Sequence, residues 1–485
     1  MTDSIKQYQN FIDGQWQPCQ SGRMFDNINP ANTGEVVGRF PASGPADAEA
    51  AVAAATKAFP AWRATPISKR ARILNLAADY LEAHADEFAA DLTREEGKSL
   101  ALARDEVMRS AQTFRFYAVE GQTFTGETFP QDDPLQYVYS HREPLGVVTV
   151  ISPWNFPGSI PARKIAPALI TGNAVVFKPS SDAPLTGLHL VEALAHAGIP
   201  AGVINYLTGR AGDVGPVITT SRAVRAVSFT GSTQAGEHIH RSVHLTTRLQ
   251  MELGGKNPLI VMDDADLDAA VDLAIKGGFS LTGQACTGTS RIVVLRQVKQ
   301  AFTEKLLDRI KRLKIGPGLE AGMDLGPLAT ARQLETVLKY IAIGKEEATH
   351  LVGGEHLSGG RFDTGYYVSP AVFTDVQPDM RIAQEEIFGP VLAIIEAADF
   401  QDALRIANHS EYGLSAAIAT RDPHVMHVFA QEIEAGTVKI NRTTTGNLIN
   451  APFGGLKNSS TSTFRESGRV GLDFFTQVKT IYRGV

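Results

Sequence analysis

The chain has 485 residues, 43% apolar and 20% charged, with a net charge of −6 and two cysteines. That length predicts two or three domains with ample core, and that charge gives no electrostatic case for nucleic acid or an anionic membrane. Met1–Tyr8 lacks a basic-then-apolar leader, no apolar run reaches about 18 residues, and Cys19 and Cys286 are too few for a disulfide scaffold or a cysteine-rich metal site, which points to a cytoplasmic, metal-free protein.

In chain order, Asn10–Trp16 reads as strand, Asp-Gly turn, strand. Ala48–Phe59 is alanine-rich at helical spacing, with Asp47 as its N-cap and Pro60 as its stop. Helical period returns over Ile67–Phe88 and Glu106–Glu120. Asp132-Asp133-Pro134 and the alternating Tyr137–Glu143 read as a protruding hairpin arm suited to association. From Gly146 strands and helices alternate: strands Val147–Ile151, Ala174–Phe177, Gly202–Tyr206 and Ala226–Phe229, each followed by a helix, over Ile160–Ile170, Leu185–Ala197, Gly212–Thr219 and Ser232–Ser242. Such alternation predicts a doubly wound parallel sheet. A second α/β series follows, with strands at Pro258–Val261, Arg291–Leu295, Val368–Phe373, Val391–Ile395 and Ala416–Ala419. Its helices fall at Leu267–Gly277, Lys299–Leu313, Arg332–Gly344, Ala403–His409 and Val425–Glu432. The strand-like tail Phe474–Tyr482 is suited to pair with the arm.

Chemistry-bearing residues sit at the turns. Cys286 lies in Gly278–Gly288 among small and polar residues, with Gly283 and Gly288 freeing the backbone; it is either a buried structural thiol or a nucleophile facing a cleft. Phe229–Gly236 carries Gly231 and Ser232 at a helix start, which is an anion site or an ordinary N-cap. Lys178 ends a strand at the edge where open α/β sheets bind ligands. Ser152–Gly158 is a rigid Pro/Gly turn offering the Asn155 amide to an oxyanion. Glu252 precedes Gly254-Gly255 at the junction of the two series and is a candidate general base. Glu385–Pro390 places two acids beside Phe388 and a turn.

Taken in order, these blocks resemble the aldehyde dehydrogenase superfamily over almost the whole chain. The matching stretches are Pro153–Pro157, Lys178–Ser180, Phe229–Ser232, Glu252–Gly255, Gly283–Cys286, Glu386–Pro390 and Pro452–Gly455. The resemblance implies an α/β aldehyde dehydrogenase-like fold: a nicotinamide-dinucleotide domain from 1–125 and 145–252, a catalytic domain from 253–457, and an oligomerisation arm and tail from 126–144 and 458–485. It implies a homodimer or homotetramer. Carried over position by position, it makes Cys286 the nucleophile, Asn155 the oxyanion donor and Glu252 the base, with Lys164 and Glu466 in structural or proton-path roles. Ser152, Trp154, Lys178, Ser181, Gly231, Ser232, Glu386 and Phe388 fall at cofactor positions. The implied chemistry is a thiohemiacetal on Cys286, oxidised to a thioester that water hydrolyses.

In relatives that prefer NAD, the third residue after the strand-ending lysine is often a glutamate. Ser181 stands there, which favours NADP with NAD also usable. Arg163 follows Asn155 by about two helical turns, so it is expected to point back toward the aldehyde and to hold a carboxylate as a fork. The blocks His240–Val243, Gly277–Arg291 and Ser459–Gly468 are similar to the group acting on 2-oxoglutarate semialdehyde (2,5-dioxopentanoate), and Ser459-Ser460 is expected to make the substrate-side loop polar. Succinate and glutarate semialdehydes are the alternatives, since one methylene gives only ~1–3 kcal/mol of discrimination. A cysteine hydrolase without redox chemistry is the alternative of a different class.

Overall fold

The computed structural model describes residues 5–133, 135–461 and 463–484. Met1–Ser4, Pro134 of the arm turn, Ser462 of the Ser/Thr-rich block and Val485 lie outside the described residues.

Two seven-stranded sheets carry the molecule. In the first, strands Arg248–Glu252, Val224–Thr230, Val147–Ile151, Ala174–Lys178 and Ile204–Tyr206 lie side by side and parallel. The hairpin Asn10–Ile12/Gln15–Gln17 closes the far edge through Phe11 opposite Tyr206. Its turn holds Asp13 and Gly14 at φ 51° and 77°, as an Asp-Gly hairpin requires. The parallel part of this sheet starts at Val147–Ile151, winds outward to Tyr206, then returns to build the other side, so a topological switch point opens beside Ile151. Register aligns Ile151 with Lys178 and with Phe229, and Thr230 with Glu252, bringing these strand ends to one carboxyl edge.

The second sheet runs Thr349–Val352, Ala371–Thr374, Val391–Ala397, Thr289–Leu295, Asn257–Val261, Ser415–Ala419, Thr437–Ile440; only its first pair is antiparallel. The central strands are buried and rich in Val and Ile, as a sheet covered on both faces demands. Outside both sheets, Thr476–Arg483 pairs antiparallel with Tyr137–Pro144, which also takes Thr128–Phe129. Tyr137, Val478 and Tyr482 on this arm are exposed. Among the described residues, no helix is long and apolar enough to cross a membrane.

Several expectations need correction. The first long helix spans Pro45–Ala64 and passes through Pro60. Trp62, 1% exposed and donating to the Leu169 carbonyl at 3.1 Å, anchors the turn that Pro60 would otherwise loosen. Asp47 is not the N-cap. It sits inside the first turn and accepts from the Gly44 and Gln20 amides at 2.9 and 2.8 Å. The run Ile67–Phe88 breaks at His84 into helices Ile67–Ala83 and Ala85–Glu96. The strand expected at Val368 begins at Ala371, because Pro370 has no amide to give a ladder.

Candidate active site

Cys286 follows a tightly turned segment. Leu281, Thr282 and Gly283 are all left-handed, at φ 55°, 54° and 73°. Two non-glycine residues there cost of order 1–3 kcal/mol each, so the surroundings must enforce the turn. Thr282 donates to the Gly326 carbonyl at 3.0 Å, and the buried Gln284 accepts from the Ala329 amide at 2.9 Å. Gly283 has no alternative: a Cβ there would lie 2.1 Å from the Gly389 oxygen. The other flank is gripped by Asn257, whose amide donates to the Cys286 and Gly288 carbonyls at 2.8 and 2.9 Å. The Asn155 amide donates to the Gln284 carbonyl at 2.9 Å, tying the first sheet's edge to the cysteine loop. Lys98 holds the Asn155 carbonyl at 2.7 Å and pairs with Glu106 at 2.5 Å.

The half-buried Cys286 thiol is pushed up to about 12 by burial, while the Arg163 charge pulls it down and Glu252 and Glu386 oppose that pull. Both Glu252 carboxyl oxygens are buried with no hydrogen-bond partner among the described residues. Burial first, then the Glu466 charge, raises the Glu252 pKa well above the carboxylate range, against Lys164 and Arg163. Lys164 is fully buried, pairs with Glu466 and donates to Ser228 at 3.0 Å. Burial pushes its ammonium down, with Glu466 pulling the other way.

Along the carboxyl edge of the first sheet, backbone and small side chains leave a cradle. The Ser152 and Thr230 hydroxyls are buried with no hydrogen-bond partner among the described residues. Ser232 caps the helix Thr233–Ser242, accepting from the Ala235 amide at 3.3 Å, and Gly231 precedes it. Lys178 is buried, donates to the Pro179 carbonyl at 2.8 Å, and is pushed down to about 8 by burial. Ser181 donates to the Gly209 carbonyl at 3.0 Å. From the second sheet's side, Glu386 accepts from the Gly255 amide at 3.0 Å, and burial raises it to about 7. A Cβ on Gly254 would lie 2.4 Å from a Glu386 oxygen, so glycine is what lets this carboxylate approach. Phe388, left-handed at φ 57°, meets Trp154 edge-on at 5.4 Å. Gln333 donates to its carbonyl at 2.8 Å and holds that turn.

On the opposite side of Cys286 lies a cavity of about 480 Å³. Phe156, Phe453, Ile160 and Leu281 give it apolar walls, and Arg163 and Arg109 give it cations. The arrangement is therefore a thiol between two openings, one rimmed by strand ends and a helix N-terminus, the other a mixed apolar and cationic tunnel.

Residues 16–481 match the model of the aldehyde dehydrogenase family. The chain belongs to the aldehyde dehydrogenase family. It is 46% identical over 477 residues to the alpha-ketoglutaric semialdehyde dehydrogenase of Bacillus subtilis, covering 98% of each chain. It is 44% identical to the alpha-ketoglutarate semialdehyde dehydrogenase of Haloferax volcanii, covering 99% of each. Among solved structures, betaine aldehyde dehydrogenase from Staphylococcus aureus in complex with NAD+ superposes with a TM-score of 0.95 at 35% identity, covering 98% of this chain and 94% of that one. Two doubly wound α/β sheets and a small β arm are thus an aldehyde dehydrogenase fold, and the protein is an aldehyde-oxidising oxidoreductase.

Within this aldehyde dehydrogenase, Cys286 and Arg163 share one cavity, and Glu252, Lys164 and Glu466 are electrostatic neighbours of that pair or of each other. Ser459 is a correction. It is fully buried away from the tunnel, donating to the Gly254 carbonyl at 2.7 Å and accepting from the Gly413 amide at 3.0 Å. Sequence reading passed over Asn257, Gln284 and Gln333, whose signal was a polar side chain inside a buried apolar context, and over Arg109, a lone arginine in an amphipathic helix.

Proposed function

We propose that the protein oxidises a carboxylate-bearing semialdehyde, 2,5-dioxopentanoate (2-oxoglutarate semialdehyde), to 2-oxoglutarate with a nicotinamide dinucleotide. One observation carries this substrate class: Arg163 lines the tunnel beside Cys286, has no ion-pair partner among the described residues, and leaves its buried Nε unbonded. A carboxylate is the partner such a guanidinium needs. The names of the Bacillus and Haloferax relatives support the same substrate.

In this reading the Cys286 thiolate attacks the aldehyde carbon, and the Asn155 amide and Cys286 backbone N–H receive the oxyanion. A nicotinamide dinucleotide held by the cradle would supply the hydride acceptor that takes the Cys286 adduct to the thioester level. Glu252 then takes a proton from water, which opens the thioester and frees the acid and the Cys286 sulfur. Burial and the Glu466 charge raise its pKa, which makes it a stronger base than a solvated carboxylate. The Lys164–Glu466 pair lies behind Glu252 as a proton path or brace.

The cradle fits the dinucleotide: two partnerless buried hydroxyls, free amides at a helix start, and a close glycine approach. Ser152, Gly231 and Ser232 would take the phosphates, Lys178 one ribose, Glu386 the other, and Trp154 with Phe388 would flank the nicotinamide. NADP is preferred with NAD usable. Ser181 already gives its proton to Gly209, so this preference rests on the missing carboxylate, which would repel a 2′-phosphate, more than on a serine donor. A homodimer or homotetramer is our reading, supported by the exposed aromatic arm, and a cytoplasmic location is supported by the two unpaired thiols. The same reading divides the chain into a cofactor unit from 1–125 and 145–252, a catalytic unit from 253–457, and an arm and tail from 126–144 and 458–485.

The test is a panel of kcat/KM values for succinate, glutarate and 2-oxoglutarate semialdehydes with NAD and with NADP. Highest kcat/KM for the C5 keto acid supports the reading; a neutral aldehyde outrunning all three acids sinks it.

A further inference from the structure

Besides Arg163, the tunnel lining carries the exposed Lys276 and the half-buried Arg109, which the reaction above does not use. Arg109 lies on the helix Leu100–Glu120, and Arg163 on Ser159–Ile170, and both side chains line one cavity. Neither makes an ion pair among the described residues, although the surface of this protein pairs arginines freely. Burial, and then the charge of Arg163, push the Arg109 guanidinium down, while Glu106 pulls it up. Like charges converging on a cavity raise the free energy of the empty site and favour an anion between them.

The donors are also oriented. Arg109 Nη2 donates to the Asn447 backbone carbonyl and to Asn447 Oδ1, at 3.2 Å for the latter. This fixes the guanidinium plane and turns the Asn447 amide nitrogen away from Arg109, where it is buried without a partner. Asn447 lines the same cavity. Arg163 Nε is likewise buried and unbonded. The lining thus holds two buried nitrogen donors with no partner among the described residues. Glu106 is the buried acid there, and its oxygens are committed to Lys98 and to the Gly158 and Ser159 amides. Asp105, also on the lining, is exposed at the rim.

Arg109, Arg163 and Cys286 line the same cavity, so a ligand with its aldehyde at the sulfur has both guanidinium groups on the walls around it. A simple carboxylate offers two acceptor oxygens, which one arginine fork satisfies. A 2-keto acid offers a third, on the adjacent carbon.

We propose that Arg109, oriented by Asn447, is a specificity-determining residue that recognises the 2-keto-acid end of the substrate, while Arg163 serves any acidic aldehyde. This rests on the acidic-semialdehyde reading of the same tunnel. The test compares R109Q, R109K, N447A and R163Q with the parent enzyme on glutarate and 2-oxoglutarate semialdehydes, which differ only in the keto group, and on neutral pentanal. Binding of glutarate and 2-oxoglutarate to the NADPH-bound enzyme by calorimetry gives a readout independent of turnover. R109Q is expected to cut the preference for the keto acid over glutarate semialdehyde by roughly 10- to 100-fold, mostly in KM, with the same loss in the Kd ratio. N447A should cut it by about 5-fold. R109K, a point charge without the fork, should recover part of the preference. R163Q should lower both acids together against pentanal and leave their ratio in place. An unchanged ratio in R109Q, with both acids lowered in R163Q, overturns this proposal alone. If R163Q lowers neither acid against pentanal, the acidic-semialdehyde reading falls and this proposal with it. Should R109Q fail to fold, R109K and N447A decide: an unchanged ratio in both overturns the assignment.

Discussion

The two openings onto Cys286 are built in different ways. The cofactor edge is made of strand ends and the turns that follow them, so each group is placed by sheet register: Lys178 beside Ile151, Thr230 beside Glu252. Its donors are largely backbone, and its close approaches depend on glycines such as Gly254. The aldehyde tunnel is assembled from side chains on separate helices and loops, Arg109, Arg163, Cys286, Asn447 and Phe453. Register does not fix these; packing between helices does. The first kind of site tolerates changes of side chain and resists changes of backbone. The second kind can be retuned by one residue, which is how one fold serves many aldehydes.

The largest effect should come from the shared centre. Cys286→Ala is expected to lower aldehyde oxidation by roughly 10⁴-fold or more, while NADPH fluorescence titration gives a Kd close to that of the parent. A comparable loss of cofactor affinity would mean the two openings are not separable. Next comes Glu252→Gln, expected to cost roughly 10²- to 10⁴-fold in kcat. A stopped-flow burst of reduced cofactor should survive, because acylation precedes the step that needs the base. Loss of the burst would place Glu252 before the thioester instead of after it.

Titration sharpens the comparison further. In the proposed reaction Cys286 and Glu252 both act deprotonated, and burial raises both. A raised pKa lowers the deprotonated fraction at a given pH, so kcat/KM should climb with pH toward the thiol's value of about 12, with no falling limb from these groups. Arg163 is the charge that pulls the thiol down. Arg163→Gln should therefore move the pH dependence of Cys286 alkylation to higher pH, besides costing roughly 10- to 100-fold in kcat/KM for acidic aldehydes. A thiol profile identical to the parent's would place Arg163 too far away to act on the sulfur.

How much of this was legible in the sequence follows the same division. The cofactor edge was legible because its groups lie at the ends of strands whose alternation with helices is plain, as with Lys178 after Ala174–Phe177 and Ser232 after Ala226–Phe229. Arg163 was legible because its helix begins just after the Asn155 turn. Arg109 was not: it reaches the tunnel through helix packing and a bond to Asn447, 338 residues away. The clamp on the cysteine loop was hidden for the same reason, since Asn257 acts through the Cys286 carbonyl and Gln284 through the Ala329 amide, partners remote in the chain. Pro60 misled because local breaking was outweighed by the burial of Trp62.

The smallest effect on activity should come from Ser459, and it separates a residue near the site from one in it. Its hydroxyl bridges the Gly254 carbonyl and the Gly413 amide, joining the glycine pair that lets Glu386 approach to a loop of the second sheet's edge. Removing a buried hydroxyl with both bonds made costs about 1–3 kcal/mol. Ser459→Ala should thus lower the apparent melting temperature by a few degrees and loosen Gly254, so any change in KM should fall on the dinucleotide. The KM for the semialdehyde should move by less than about twofold, because the hydroxyl does not line the tunnel. A semialdehyde KM that rises sharply while the dinucleotide KM holds would return Ser459 to the tunnel wall and break the division between the two openings.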